Sequence, residues 1–324
     1  MLDGTSRSCV TCILGADADL FHVAMTVTGL CELASQNLIE LKLKQSSSIN
    51  RHALVLEIGG RSAGIDLSDH SDQMMPELSG CDLLVKRCVR PEILTASSRI
   101  RPFGLNYACR SRRSTLKLLG LFGLIDGIRR SQAWKKLLCV PLVAAFERAP
   151  EVPASRRILI QARLWSPDEC LGDEGVNEER VRLLRALQRE FKERVVGGLV
   201  PTAFARRHYP ELITCHPTRQ SQYVRWAKEP LISIGFRGLF GSIGFKIAEA
   251  FAAAQCLIFE ETTATMPADA PVLRYQSVEE CLTICDRLLT NPSEATALRN
   301  QAWEYYRSSV EPSAHVRNLL SLIQ

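Results

Sequence analysis

The sequence predicts an α/β protein of two domains, the second a regular parallel sheet with helices on both faces. Three observations carry this. From residue 156 onward, short apolar runs alternate with amphipathic stretches, RILIQA, then a helix from Asn177, then VVGGL, and so on to the end. Strands that alternate with helices in this way form parallel sheets covered on both sides. The segment APEVPAS, residues 149–155, has two prolines among small residues and reads as a linker between domains 1–148 and 156–324. Finally, 324 residues with 46% hydrophobic and 23% charged content suffice for two cores of ordinary size.

In the first half, VTCILGAD (10–17) reads as a strand, Phe21 to Ser35 as an amphipathic helix and IELKLKQ as an alternating strand. HALVLEIGGRSAGIDLSD reads as two strands joined tightly at Gly59-Gly60. DLLVKR (82–87) is the next strand, RIRPFGLNY (99–107) runs from strand to loop, and Ser114 to Arg148 is helical and basic. In the second half, RRILIQARLW is a strand ending near Arg163. A helix follows with Val181, Leu184, Leu187 and Phe191 on one face. RVVGGL, ELITC, LISI, CLIF and VLRY read as strands, and PTAFARRHY and RQSQYVRWAKE as helices. Ser277 and Glu280 form the S-x-x-E signature of a helix start, and a last helix runs from Asn291-Pro292 to about Ser309.

Composition excludes several classes. No apolar run of about 18 residues exists, so no membrane span is expected. The opening MLDGTSRSCVTCILGAD lacks the basic flank and long apolar core of a signal peptide, which makes the cytoplasm the expected compartment. Most of the twelve cysteines, Cys81, Cys139, Cys256, Cys281 and Cys285 among them, sit in apolar surroundings and read as core thiols. Cys9-x-x-Cys12 has no second pair, so neither a zinc site nor any other metal or cofactor is expected. The net charge of +5 comes mainly from Arg110, Arg112, Arg113 and Lys117, and from Arg129, Arg130, Lys135 and Lys136. Such clusters are solvated faces or peripheral contacts for an anionic membrane surface or acceptor. Aromatic residues do not interleave with them, which argues against nucleic acid.

The stretch with most chemical content is Leu231–Glu261. A buried strand leads into Gly235, Gly238, Gly241 and Gly244 at every third position, then into an alanine-rich helix from Ser242 to Ala254 and a second buried strand. Glycines admit a ligand close to the backbone, and a helix start offers N–H groups to an anion. The P-loop pattern fails, because Lys246 stands two residues past Gly244 and Ile247 follows it. The G-x-G-x-x-G dinucleotide pattern is absent.

GLFGSIGFKIAEAFAAAQCLIFEE resembles the donor-site segment of glycosyltransferases with two Rossmann-like domains, the GT-B fold. VLRYQSVEECLTICDRLLTNP with the later EYYRSSVEP, and IQARLW with VVGGL, resemble the rest of that domain in group-1-like and spore-maturation-type members. The resemblance covers about residues 155–320. It implies two Rossmann-like domains and transfer of a sugar from a nucleotide-diphosphate sugar to a glycan, lipid or protein acceptor. It also implies that Glu249 contacts the ribose, that Lys246 and Arg163 face the diphosphate, and that Gly238, Gly241 and Ser242 give backbone N–H contacts; Arg237, which flanks the loop, is a further donor-site candidate, open equally to a phosphate contact or a structural ion pair. Retaining members carry a glutamate eight residues before the ribose-binding one; here Gly241 stands there, which leaves open a non-catalytic binding or scaffold homologue. A nucleotide-sugar epimerase is a further alternative.

In the first half, DLSDHSD groups Asp66, Asp69, His70 and Asp72. Asp69 or His70 is the candidate base for an acceptor hydroxyl; the same stretch also reads as a turn rich in side-chain-to-backbone bonds. Lys86, Arg87 and Asn106, near strand ends, are candidates to line the interdomain cleft.

Overall fold

The computed structural model describes residues 7–70, 72, 74–122, 137–170 and 175–324. The chain forms two compact units. One comprises Met1–Val143, Ala264–Met266 and Arg307–Gln324; the other comprises Ala144–Thr263 and Pro267–Tyr306. The expected boundary at 149–155 and a second domain running to residue 324 are therefore corrected. The expected last helix stops at Tyr305, and a wide turn over Tyr306–Val310 separates it from another helix, Pro312–Ile323, that belongs to the first unit.

The first unit holds a six-stranded sheet: β1 (Ser8–Gly15), β2 (Ile39–Ser46), β3 (Ala53–Ile58), β4 (Arg61–Asp66), β5 (Leu83–Lys86) and β6 (Ile100–Pro102), in the order β2-β1-β3-β4-β5-β6. The β3–β4 hairpin turns at Gly59 and Gly60, with φ of +58° and +79°, the two positive values that a twist-matched two-residue turn requires. Strand β3 is antiparallel to both neighbours, and the other pairs are parallel. The carboxyl ends of β1, β4, β5 and β6 consequently share one edge with the start of β3.

Helices of seven residues or more are labelled in order: α1 (Leu20–Ser35), α2 (Arg112–Phe122), α3 (Gly175–Phe191), α4 (Gln220–Ala227), α5 (Lys246–Ala252), α6 (Val278–Thr290), α7 (Pro292–Tyr305) and α8 (Pro312–Ile323). Helix α1 is buried almost all round, because α8 and α2 cover the side away from the sheet. A Cβ on Gly29 would lie 2.0 Å from the Pro312 carbonyl oxygen, so glycine permits the α1–α8 contact. Thr28, buried on the α2 side, donates to Ser114 Oγ at 3.0 Å.

The second unit holds five parallel strands: β7 (Ser155–Ala162), β8 (Val195–Leu199), β9 (Pro230–Gly235), β10 (Cys256–Glu260) and β11 (Val272–Tyr275), in the order β11-β10-β9-β7-β8. Side chains alternate across it. Ile158, Ile160, Ile232, Ile234 and Ile258 pack with Val181, Leu184 and Leu187 of α3 and Cys281, Cys285 and Leu288 of α6. Leu159 and Ser233 point to the other face, toward α4 and α5. Helices thus cover both faces, as expected.

Two second-unit elements differ from expectation. ELITC is not a strand: Pro210–Leu212 forms a single tight turn, and Ile213 makes one isolated bridge to Leu199. The helix expected over 242–254 is shortened to Lys246–Ala252, because Gly238–Ser242 closes on itself as a turn and Phe240 adopts φ +58°. Cys12, Cys81, Cys256, Cys281 and Cys285 are buried free thiols, whereas Cys139, expected in the core, is exposed. Arg110 is partly buried and donates to the Val140 carbonyl at 2.7 Å, so it is structural rather than part of a basic surface. The cluster Arg129, Arg130, Lys135 and Lys136 lies outside the described residues. Among those described, no helix is long and apolar enough to cross a membrane.

Candidate functional site

In the second unit the strand order reverses between β7 and β9. The chain leaves β7 toward β8 on one side and returns to β9 on the other. The helices on either side of such a point diverge, leaving a crevice at the carboxyl ends of the two strands where ligands of parallel sheets bind. Arg163 follows β7 there, and Phe236 and Arg237 follow β9.

Arg180 of α3, which the sequence did not single out, ties these two strand ends together. It is 4% exposed, and its guanidinium donates to the carbonyls of Arg163 and Arg237, each at 2.5 Å. Its flat face lies 4.1 Å from the Trp165 ring centre. The signal was one arginine on the helix face that also carries Val181 and Leu184; spacing alone does not distinguish it from surface charge.

The residues expected to bind a donor fall into three groups. Lys246 and Glu249 stand on the first turns of α5, on the inner side. Lys246 Nζ donates to the Gln161 backbone oxygen at 2.8 Å and its side-chain oxygen at 3.0 Å, and lies 4.9 Å from the Tyr223 ring centre. Burial pulls the ammonium down from 10.5 to about 8; Glu249 opposes this and Arg180 reinforces it. Burial raises the Glu249 carboxyl, against the pull of Lys246 and a bond from Gln220 at 3.4 Å. Behind these residues a cavity of about 20 Å³, lined also by Tyr223 and Ser233, has room for one water and none for a sugar. A ligand therefore has to approach from the carboxyl edge of the sheet.

Arg163 and Arg237 form the second group and differ. Arg163 is half exposed and, among the described residues, pairs with Glu169 at 3.1 Å. Such a surface pair is weak and exchanges readily for another anion. Arg237 is 22% exposed and held between Glu260 and Glu179, each at 3.0 Å. Its charge is already matched by these two carboxylates, which tie the start of the loop to β10 and α3.

The third group is the loop. Three of its four regularly spaced glycines answer to packing: an added Cβ would lie 2.7 Å from Phe259 at Gly235, 2.2 Å from Ser242 Oγ at Gly238 and 2.5 Å from Thr263 Oγ1 at Gly241, where φ is +69°. Only Gly244 of the four opens onto free space. Two of the three backbone N–H groups expected to meet phosphate are engaged inside the loop: Gly238 donates to Ser242 at 2.7 Å and Ser242 to Leu239 at 3.2 Å. Gly197 in β8 is likewise packed, because its Cβ would fall 2.1 Å from the Ile160 carbonyl oxygen.

In the first unit, Asp69 accepts from Arg87 at 2.8 Å and is half exposed; His70 beside it is exposed. Asp66 and Lys86 are fully buried and paired at 2.8 Å, with Ser68 also donating to Asp66. Arg87 and Asn106 are buried too, and Asn106 donates to the His22 carbonyl at 3.1 Å. Lys86, Arg87 and Asn106 thus each bond to a partner within the first unit, bracing its strand ends. The same sheet edge carries Asp19, His22 and His52, none of which the sequence reading selected. The rings of His22 and His52 meet edge to face at 4.8 Å. Burial lowers both imidazoles below their ordinary 6.5, His22 to about 4, with the Arg87 charge adding to the effect on His22.

No family model and no curated protein matches the sequence. Among solved structures, the chain is similar to an alpha-glucosyltransferase in complex with UDP and a mismatched 13-mer DNA. They share 12% identity over 98% of this chain and 100% of that one, with a TM-score of 0.46. A glycosyltransferase from Rickettsia africae ESF-5 shares 12% identity over 91% of this chain and 72% of that one, at TM-score 0.41. WaaG, a glycosyltransferase involved in lipopolysaccharide biosynthesis, shares 11% identity over 74% and 62%, at TM-score 0.38.

Proposed function

We propose that the chain is a glycosyltransferase of the GT-B kind that takes a nucleotide-diphosphate sugar in its second unit. The observation that supports this reading is the β7–β9 switch point, from which the loop 236–245 leads directly into Lys246 and Glu249 of α5. Arg163 and Lys246 serve the diphosphate, since a leaving diphosphate needs cationic donors. Glu249 takes the ribose hydroxyls. Gly244, open toward solvent, is where phosphate approaches the backbone; Arg237, Gly238, Gly241 and Ser242 hold the loop's shape. The first unit takes a hydroxyl-bearing acceptor, with Asp69 or His70 as the base. A glycan is one acceptor that fits; peripheral contact with a membrane surface through Arg112, Arg113 and Lys117 belongs to the same reading.

A second reading, a non-catalytic binding homologue, draws on Gly241. Its positive φ and its contact with Thr263 leave no room for a carboxylate in the place that retaining relatives use. Calorimetry with a panel of nucleotide sugars, followed by assay of released nucleoside diphosphate, separates the two. Binding with release supports transfer; binding without release supports the second reading. No binding to any donor removes the transferase reading.

A further inference from the structure

We propose that Asp19, His22 and His52 form a site for one divalent transition metal ion of the zinc type, held by two imidazole nitrogens and one carboxylate oxygen. The inference concerns the first unit alone and stands whether or not the chain transfers sugars. One ligand atom from each of the three residues lies within 4.8 Å of the other two. Tetrahedral zinc places its ligand atoms about 3.5 Å apart, so closure needs small side-chain rotations and no backbone movement. Two nitrogens and one oxygen suit zinc, cobalt or nickel rather than calcium or magnesium.

The backbone that carries the three residues is already braced. Asp19 caps α1, accepting from the Phe21 N–H at 3.1 Å, and His22 stands three residues on, on the same helix face. The Asp19 N–H donates to the Arg51 carbonyl at 2.7 Å, which ties the start of α1 to the loop before β3. His52 in that loop is fixed on both sides: its N–H donates to Asn50 Oδ1 at 3.0 Å, and its carbonyl accepts from Leu67 at 2.9 Å. His52 Nδ1 is shielded from solvent and has no hydrogen-bond partner among the described residues. In the tautomer that leaves this nitrogen unprotonated, its buried lone pair lacks a partner, and a metal ion supplies one. Among the described residues two cations stand nearby: Arg51, 3.4 Å from the second Asp19 oxygen, is half exposed and free to withdraw, and Arg87, whose charge acts on His22, is paired with Asp69 at 2.8 Å.

Three protein ligands leave a fourth position open for water or a ligand oxygen, as in catalytic rather than structural zinc sites. The site lies on the carboxyl edge of the first sheet, where the sequence reading expected no metal. That reading weighed Cys9-x-x-Cys12 for a metal, whereas these ligands come from two segments thirty residues apart that meet only after β1 and β3 pair.

The test uses the full chain stripped with a chelator and titrated with Zn2+ alone by calorimetry, and with Co2+ alone by visible absorption. The expected result is one equivalent bound, with a four-coordinate Co2+ spectrum free of thiolate bands. His22→Ala and His52→Ala should each lower affinity at least tenfold. His52→Gln, which keeps the volume, should do the same with the circular dichroism unchanged. His216→Ala, in the other unit, should leave binding as it was. Absence of binding overturns the proposal. So does binding that survives both His52→Ala and His52→Gln, or that vanishes when exposed Cys9, Cys139 and Cys215 are changed to serine.

Discussion

The Lys246 ammonium donates to both oxygens of Gln161, backbone and side chain, at 2.8 and 3.0 Å. This pairing fixes the Gln161 amide with its oxygen toward Lys246 and leaves its Nε2 buried without a partner among the described residues. Gln161 precedes the last residue of β7, at the switch point. A donor oxygen placed there would find one cation and one unmatched N–H side by side. Lys246→Met should therefore lower nucleotide-sugar affinity by about 10-fold or more, the value of one charge-assisted hydrogen bond. Calorimetry measures it, and unchanged affinity removes Lys246 from the site.

The same lysine gives a pH dependence. Its proton leaves near pH 8 in the folded protein and near 10.5 in an unfolded chain. Donor affinity should fall as pH rises through 8, because the cation is lost. Stability should move the other way: between pH 8 and 10.5 the unfolded chain binds the extra proton, so this group's contribution to folding rises with pH. Titrations at pH 7 and 9, with denaturation at both, test the opposing signs.

Among the loop glycines, Gly244 provides the cleanest probe. Nothing lies within 4 Å of a Cβ added there, so Gly244→Ala should leave stability within about 0.5 kcal/mol. If phosphate approaches this backbone, donor affinity should nonetheless drop. Gly241→Ala has the reverse profile: a left-handed φ and a 2.5 Å contact with Thr263 should cost roughly 1–3 kcal/mol. Urea denaturation of both variants gives the comparison.

Asp66 and Lys86 form an ion pair with no exposure at either side chain. Removing one partner strands the other charge in the core, so Lys86→Met should destabilise the protein by about 3–5 kcal/mol. Asp66→Leu combined with Lys86→Met should recover much of that loss. A double variant no more stable than the single would show that the pair itself, rather than charge compensation, holds β4 to β5.

Acid should weaken the first unit through His22 and His315. Burial holds each imidazole down at about 4 against an ordinary 6.5; His315 keeps one hydrogen bond to the Ser309 carbonyl. A depressed base gives full stability above 6.5 and loses it as pH falls toward 4, where the unfolded chain is already protonated. Each group contributes roughly 3 kcal/mol across that window. His315→Phe should flatten the profile of denaturation midpoint against pH, and a profile identical to that of the parent chain would contradict this.

Much of the second unit could be read directly from the chain. Its strands are apolar on both sides, so RILIQA, LISI and CLIF announce themselves, and Ser277 marks a helix start that the structure confirms with a 3.1 Å bond from Glu280. ELITC carries the same local pattern yet forms no strand, because the chain after β8 leaves the sheet edge through Pro210. The regular glycines were legible as an unusual loop, but their meaning was not: spacing cannot tell a glycine that faces a ligand from one pressed against Phe259 or Thr263.

What the sequence determined by itself is the alternation of elements, the Gly59-Gly60 hairpin and the presence of a glycine loop before Lys246 and Glu249. Each follows from local propensity and from which side of a short segment must be buried. Tertiary structure decided the rest: that α8 returns to the first unit, that Arg180 clamps β7 and β9, that Arg237 is neutralised by Glu179 and Glu260, and that Asp19, His22 and His52 converge. These depend on which strands pair, and strand order is set by the packing of the whole sheet, far from any one residue's neighbours in the chain.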